Sequence, residues 1–304
     1  MKSVKIKHID SFTKTPFEGN PACVVNNADG LNEKQMQLIA REMNLSETAF
    51  VLSPTTPQAD IQLRWFTPTV EVPLCGHATV AAFHSLAEDG LYGMERPGNF
   101  KFKLETKSGI LPIDIIKTED NIEVRIGLTF PQKFDRFSQY KLDIIRILNL
   151  NLSDIEPKML ILRTDNLFVP IRRLHVLYSM HPNYFSLKNF MNQRNLQGVC
   201  LFTQETIDRD SSVHLRFFAP NEGILEDPVT GSVHGALAVY LYENGLIQLK
   251  DGIATYVAEQ GDSIGRKGRV KATLETIEQK VSSVYISGSA ITIFNGEMLI
   301  PEVS

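Results

Sequence analysis

Three short clusters in this chain hold side chains able to move protons or hold an anion. The first is Asn44-Leu45-Ser46-Glu47-Thr48-Ala49-Phe50. Glu47 stands where a helical pattern gives way to the apolar run Ala49-Phe50-Val51-Leu52. At such a junction a glutamate ordinarily faces water. Pressed against Leu45 and Phe50 it would lose solvent, which raises a carboxyl pKa and suits it to proton transfer near neutrality. The second cluster is Cys75-Gly76-His77, directly before a run of small apolar residues. The third is Glu226-Asp227, then Pro228, Thr230, Gly231 and Ser232, again before an apolar run. The first turn of a helix carries unpaired N–H groups and partial positive charge, so it attracts carboxylate or phosphate. Gly76-His77 and Gly231-Ser232 are read as two such starts. A single glycine there needs no more explanation than close packing. A duplicated pair points to a ligand.

The duplication is visible in the sequence. Residues 63–91 and 215–246 both read Leu-Arg-aromatic-Phe-x-Pro, a loop, Pro-x-x-Gly, and an apolar stretch ending in Gly-Leu. The offset is a constant 155 from Pro73/Pro228 through Gly76/Gly231 to Gly90/Gly245, and the second loop is three residues longer. That period is too long for a solenoid. It implies two similar domains, each with strands around one helix. Residues 78–87 lack a polar face, as a buried helix does. His77 and Ser232 are equivalent, and Glu226-Asp227 replace Glu71-Val72. Asp227 reads equally as a capping acid.

Around these clusters, alternation predicts strands at 4–12, 22–25, 48–52, 61–66, 100–106, 110–116 and 122–128, with a turn over Phe17–Pro21. A helix is predicted over 33–43, capped by Asn32 with Gln35 at N3. The proline-bounded segment 131–157, with a helical stretch at 142–148, is the expected crossing between domains. Residues 284–299 alternate as one or two strands returning to the first domain. The domains expected are 1–117 plus about 284–304, and 118–283.

Composition narrows the function. The 304 residues are 43% hydrophobic and 22% charged, ordinary for a globular protein. With 31 basic and 35 acidic residues the net charge is −4, which offers no basic surface for nucleic acid. Three cysteines (Cys23, Cys75, Cys200) make no disulfide framework. No signal peptide or membrane-length apolar run is read, and a cytoplasmic location is expected. His77, His84 and His234 lack a recognised metal-ligand spacing, so no metal is expected.

The segments FEGNPA (17–22), NLSETAF (44–50), FTPTVEVPLCGHAT (66–79), RFFAPNEGILEDPVTGS (216–232) and EQGDSIGR (259–266) together resemble the PhzF-like isomerase family, whose fold is that of diaminopimelate epimerase. The resemblance implies an α+β fold of two pseudo-symmetric, barrel-like domains, each wrapped on a central helix, with the site in the cleft between them. It implies cofactor-free proton transfer, with Glu47 as acid/base and His77 and Asp227 assisting. Backbone N–H groups at Gly76, His77, Gly231 and Ser232, with Ser46 beside them, would bind a substrate carboxylate. It also points to a homodimer. Two departures stand out. Lys267-Gly268 follow Arg266 where many members have Pro-Ser. Cys75 occupies one of the two catalytic thiol positions of diaminopimelate epimerase, but Thr230 occupies the other, so a two-thiol mechanism is out and Cys75 reads as packing. Two other functions remain open: a serine hydrolase built from Ser232, His77 and Asp227, although no Gly-x-Ser-x-Gly elbow occurs, and a ligand-binding protein without catalysis.

Overall fold

A computed structural model describes residues 2–301. The chain divides into two compact units, one of residues up to Leu128 and from Ile286 onward, the other Thr129–Tyr285. The architecture is α+β, and each unit is a barrel-like sheet wrapped on a buried helix.

In the first unit the order is β1 (Lys2–Ser11), β2 (Asn20–Val25), α1 (Glu33–Met43), β3 (Glu47–Leu52), β4 (Ile61–Phe66), β5 (Glu71–Val72), α2 (Gly76–Glu88), β6 (Gly98–Thr106), β7 (Gly109–Lys117) and β8 (Ile122–Leu128). β1 pairs antiparallel with β2, β2 parallel with β3, β3 antiparallel with β4, and β4 parallel with β6. The helix α1 starts where the sequence places it: Asn32 accepts from the Gln35 N–H, and the Gln35 side chain answers the Asn32 N–H. Its inner stripe, Met36, Ile39 and Ala40, packs on Phe50 and Phe66. Every residue of α2 from Gly76 to Ala87 is buried, against β1, β2, β3 and β8. Each Val, Phe or Leu so buried contributes roughly 1.5–3 kcal/mol.

The second unit runs β9 (Asp135–Arg136), α3 (Lys141–Ile147), β10 (Leu162–Arg163), β11 (Asn166–Pro170), α4 (Leu174–Ser179), α5 (Tyr184–Asn192), β12 (Gly198–Thr203), β13 (Val213–Ala219), β14 (Ile224–Asp227), α6 (His234–Glu243), β15 (Ile253–Gln260) and β16 (Gly268–Ile277), and β17 (Lys280–Ile300) begins in it and continues into the first unit from Ile286. Its pairings repeat the first unit's: β10 with β11 antiparallel, β11 with β12 parallel, β12 with β13 antiparallel, β13 with β15 parallel. The part of β17 from Ala290 on pairs with β1.

The repeat extends to side chains. Arg64 forks onto Glu71 (2.8 and 2.7 Å) and Arg216 onto Glu226 (2.8 and 2.7 Å). Both central helices end on a positive-φ glycine, Gly90 and Gly245. At each, a leucine N–H closes back on a leucine carbonyl, Leu91 to Leu86 and Leu246 to Leu241. Two details depart from the sequence reading. Asn20 and Pro21 belong to β2, because the turn is made earlier, by Gly19 at φ 64° lying against the Ser11 carbonyl. The second central helix begins at His234 rather than Gly231. The His234 and Gly235 N–H groups reach back only three residues, to Gly231 and Ser232, in a tighter lead-in turn.

Candidate functional site

In the first unit, three chain segments deliver polar groups to the start of α2. Asn44, in the left-handed region at φ 51°, ends α1 and turns the chain so that Ser46 and Glu47 enter β3. The parallel neighbour β2 supplies Asn20. Cys75 precedes α2 in extended conformation and gives it no side-chain cap. His77 is the centre of the group. Its Nδ1 lies 3.1 Å from Asn20 Nδ2, and its Nε2 lies 3.3 Å from Ser46 Oγ and 3.3 Å from Glu47 Oε2. Ser11 Oγ donates to the His77 carbonyl at 2.8 Å. Burial drives the His77 pKa down to about 3, so the imidazole is neutral at pH 7. With the Asn20 amide donating to Nδ1, the ring proton belongs on Nε2, aimed at Ser46 and Glu47. Glu47 itself is buried, at 8% exposure. Cys75 Sγ stands 3.5 Å from His77 Nδ1 and 4.0 Å from Nε2. The buried thiol lies against the imidazole.

In the second unit, Asp227 ends β14 and is buried. The Thr230 hydroxyl donates to Asp227 Oδ2 in a short bond. Gln260 holds both: its Oε1 accepts from the Thr230 N–H at 2.9 Å, and its Nε2 donates to the Asp227 carbonyl at 2.8 Å and to Thr230 Oγ1 at 3.0 Å. Gly231 is buried and Ser232 is exposed in the turn before α6. Gln260 and Asn20 were missed as site residues in the sequence, although both lie within quoted motifs.

Strand register pairs Thr48 with Phe66 and Val199 with Phe218, so Gly198 is the repeat equivalent of Glu47. A Cβ at Gly198 would stand 2.1 Å from Phe217 Cζ, so an aromatic ring fills the space a side chain there would need. Cys75 and His77 correspond to Thr230 and Ser232, and Val72 to Asp227. The two units thus carry different polar groups at equivalent positions. The other cysteines are structural: Cys23 and Cys200 are fully buried, and burial pushes the Cys23 thiol up to about 12.

The description "Phenazine biosynthesis-like protein" belongs to a family model, PhzC-PhzF, that matches residues 9–296. The chain belongs to that family. An uncharacterised isomerase of Clostridium acetobutylicum is 37% identical over 99% of this chain and 99% of its own. Trans-2,3-dihydro-3-hydroxyanthranilate isomerase of Pseudomonas chlororaphis is 30% identical over 96% of this chain and 98% of its own. A PhzF-family protein of Bacillus anthracis matches in structure with a TM-score of 0.87 at 33% identity, covering 99% of this chain and 100% of that one. The chain is an isomerase of this family. Among the described residues no helix is long and apolar enough to cross a membrane.

Proposed function

We propose that the protein moves a proton between two positions of a small carboxylate-bearing substrate, by general acid/base catalysis without a cofactor. The observation that carries this is the contact of Glu47 Oε2 with the Nε2 of a buried, neutral His77. Glu47 takes a proton from a substrate carbon and returns it to another. A glutamate shuttle needs a partner that steadies its charge without taking its proton. An imidazole whose pKa lies at about 3 stays neutral beside the carboxylate and does not compete as a base at pH 7. The substrate carboxylate is bound by backbone N–H groups at Gly76, His77, Gly231 and Ser232 with the Ser46 hydroxyl, and Asp227, fixed by Thr230 and Gln260, orients the reacting part. The Pseudomonas relative is named for an anthranilate-type acid, which is a small carboxylate.

The hydroxyl at the His77 imidazole belongs to Ser46, 3.3 Å from Nε2. The test is a screen of small carboxylic acids in D₂O, following deuterium entry at carbon by NMR. Glu47→Gln keeps the shape of the side chain but cannot carry the proton. It should still bind the acid while exchange falls by roughly two to four powers of ten. Exchange at the parent rate in Glu47→Gln would remove Glu47 from the shuttle role.

A further inference from the structure

We propose that Glu47, Cys75 and His77 form a binding site for one zinc-class divalent cation, and that its occupancy silences proton transfer. The three side chains offer a carboxylate oxygen, a thiol sulfur and an imidazole nitrogen, all buried and all within 4.8 Å of one another. A tetrahedral zinc ion with bonds of about 2.0–2.3 Å places its ligand atoms roughly 3.3–3.6 Å apart. Glu47 Oε2 and His77 Nε2 already stand 3.3 Å apart. Cys75 Sγ to the same nitrogen is 4.0 Å, which a small rotation of the thiol closes. A mixed S, N, O set selects zinc, cobalt or copper over magnesium or calcium, which take oxygen ligands. Three protein ligands leave the fourth position open to water or a ligand oxygen.

A cation on Nε2 requires the ring proton to move to Nδ1, so the Asn20 amide, whose Nδ2 stands 3.1 Å from Nδ1, must turn to present its carbonyl there. The repeat supplies an internal comparison that supports the assignment. At the equivalent positions of the second unit stand Gly198, Thr230 and Ser232, none of them a thiol, imidazole or carboxylate. The pair Cys75/His77 is therefore not a demand of the fold at this turn. The silencing clause rests on Glu47 acting as the shuttle, since a carboxylate bound to a cation cannot also receive a proton. The binding clause does not.

The experiment titrates the whole reduced, chelator-treated chain with Co²⁺ and records the spectrum. One ion per chain should bind with a thiolate-to-cobalt charge-transfer band, and Zn²⁺ should displace it. Cys75→Ser should lose the band, Glu47→Gln and His77→Asn should weaken binding, and Asn20→Ala should weaken it by roughly ten- to a hundredfold. Thermal melting of each variant checks that it is folded. The fully buried Cys23 and Cys200 provide the contrast, since a band that survives in Cys75→Ser places the ion elsewhere and overturns the site. With a substrate in hand, Zn²⁺ should stop deuterium exchange in the parent chain, and chelator should restore it. Exchange that continues with the Cys75-dependent band fully developed overturns the silencing clause alone, and does so whether or not Glu47 proves to be the shuttle.

Discussion

At the scale of single residues, His77 depends on Asn20 for its tautomer. The amide donates to Nδ1 and leaves the ring proton on Nε2, beside Glu47. Asn20→Asp replaces that donor with a carboxylate of nearly the same shape. The ring proton then moves to Nδ1, Nε2 loses its hydrogen, and the adjacent negative charge favours the imidazolium. The His77 pKa should rise from about 3 by an amount visible in the imidazole ring signals. Deuterium exchange should fall by roughly a hundredfold or more, the scale on which a misplaced histidine proton is felt. An unshifted titration would show that Asn20 does not set the ring. Glu47 and His77 were legible in the sequence because each stands beside an apolar run that announces its element. Asn20 was not. Its partner lies 57 residues away, and a turn-like Gly-Asn-Pro string hides a strand residue. Gln260 is the same case: its motif is plain, but the partners Asp227 and Thr230 become visible only once β15 is placed in the sheet.

At the scale of elements, the two Arg–Glu forks hold each short hairpin next to its central helix, yet their surroundings differ. Arg64 is 21% and Glu71 9% exposed, and each keeps a second partner at the surface, Glu33 for Arg64 and Lys107 for Glu71. Arg216 and Glu226 are 4% and 7% exposed. Arg216 also donates to the Leu177 and Met180 carbonyls at the end of α4, both at 2.8 Å. Removing one member of a buried pair strands the other charge and costs about 3–5 kcal/mol, whereas loss of Arg64 leaves Glu71 still paired with Lys107. Arg216→Met should therefore lower the denaturation midpoint far more than Arg64→Met. The double variant Arg216→Met/Glu226→Met should recover much of the loss. Equal costs for the two single variants would show that the forks are not distinguished by burial. The elements themselves were largely readable: α1, β4 and β8 begin and end where periodicity places them. The start of α6 was not. Gly231 marks the bend, but the lead-in is a tighter turn whose three-residue hydrogen bonds leave no trace in an apolar pattern.

Across the whole molecule, the repeat was the clearest feature of the sequence, and the structure extends it to strand pairings and buried forks that identity alone did not show. Why α2 and α6 carry buried histidines was not legible, since an apolar helix hides them. His77, His84 and His234 are buried in or beside these helices, and burial lowers their pKa values to about 3, 4 and 3. An unfolded chain takes up protons on the same histidines below about 6.5. The folded chain binds fewer protons between these limits, so stability rises with pH there. It is fully present above about pH 6.5 and is lost as the pH falls towards the folded values, each imidazole contributing up to about 1.4 kcal/mol per pH unit. His234 isolates the effect, because it lies in the second unit and its Nδ1 meets the Tyr256 hydroxyl at 3.0 Å. His234→Gln keeps a polar partner for Tyr256 but cannot titrate. Urea unfolding measured between about pH 7 and pH 5 should show a shallower loss of stability in His234→Gln than in the parent, by about 1 kcal/mol per pH unit. Parallel slopes would mean that this histidine is charged in the folded chain, and that its burial does not set the acid limit of the fold.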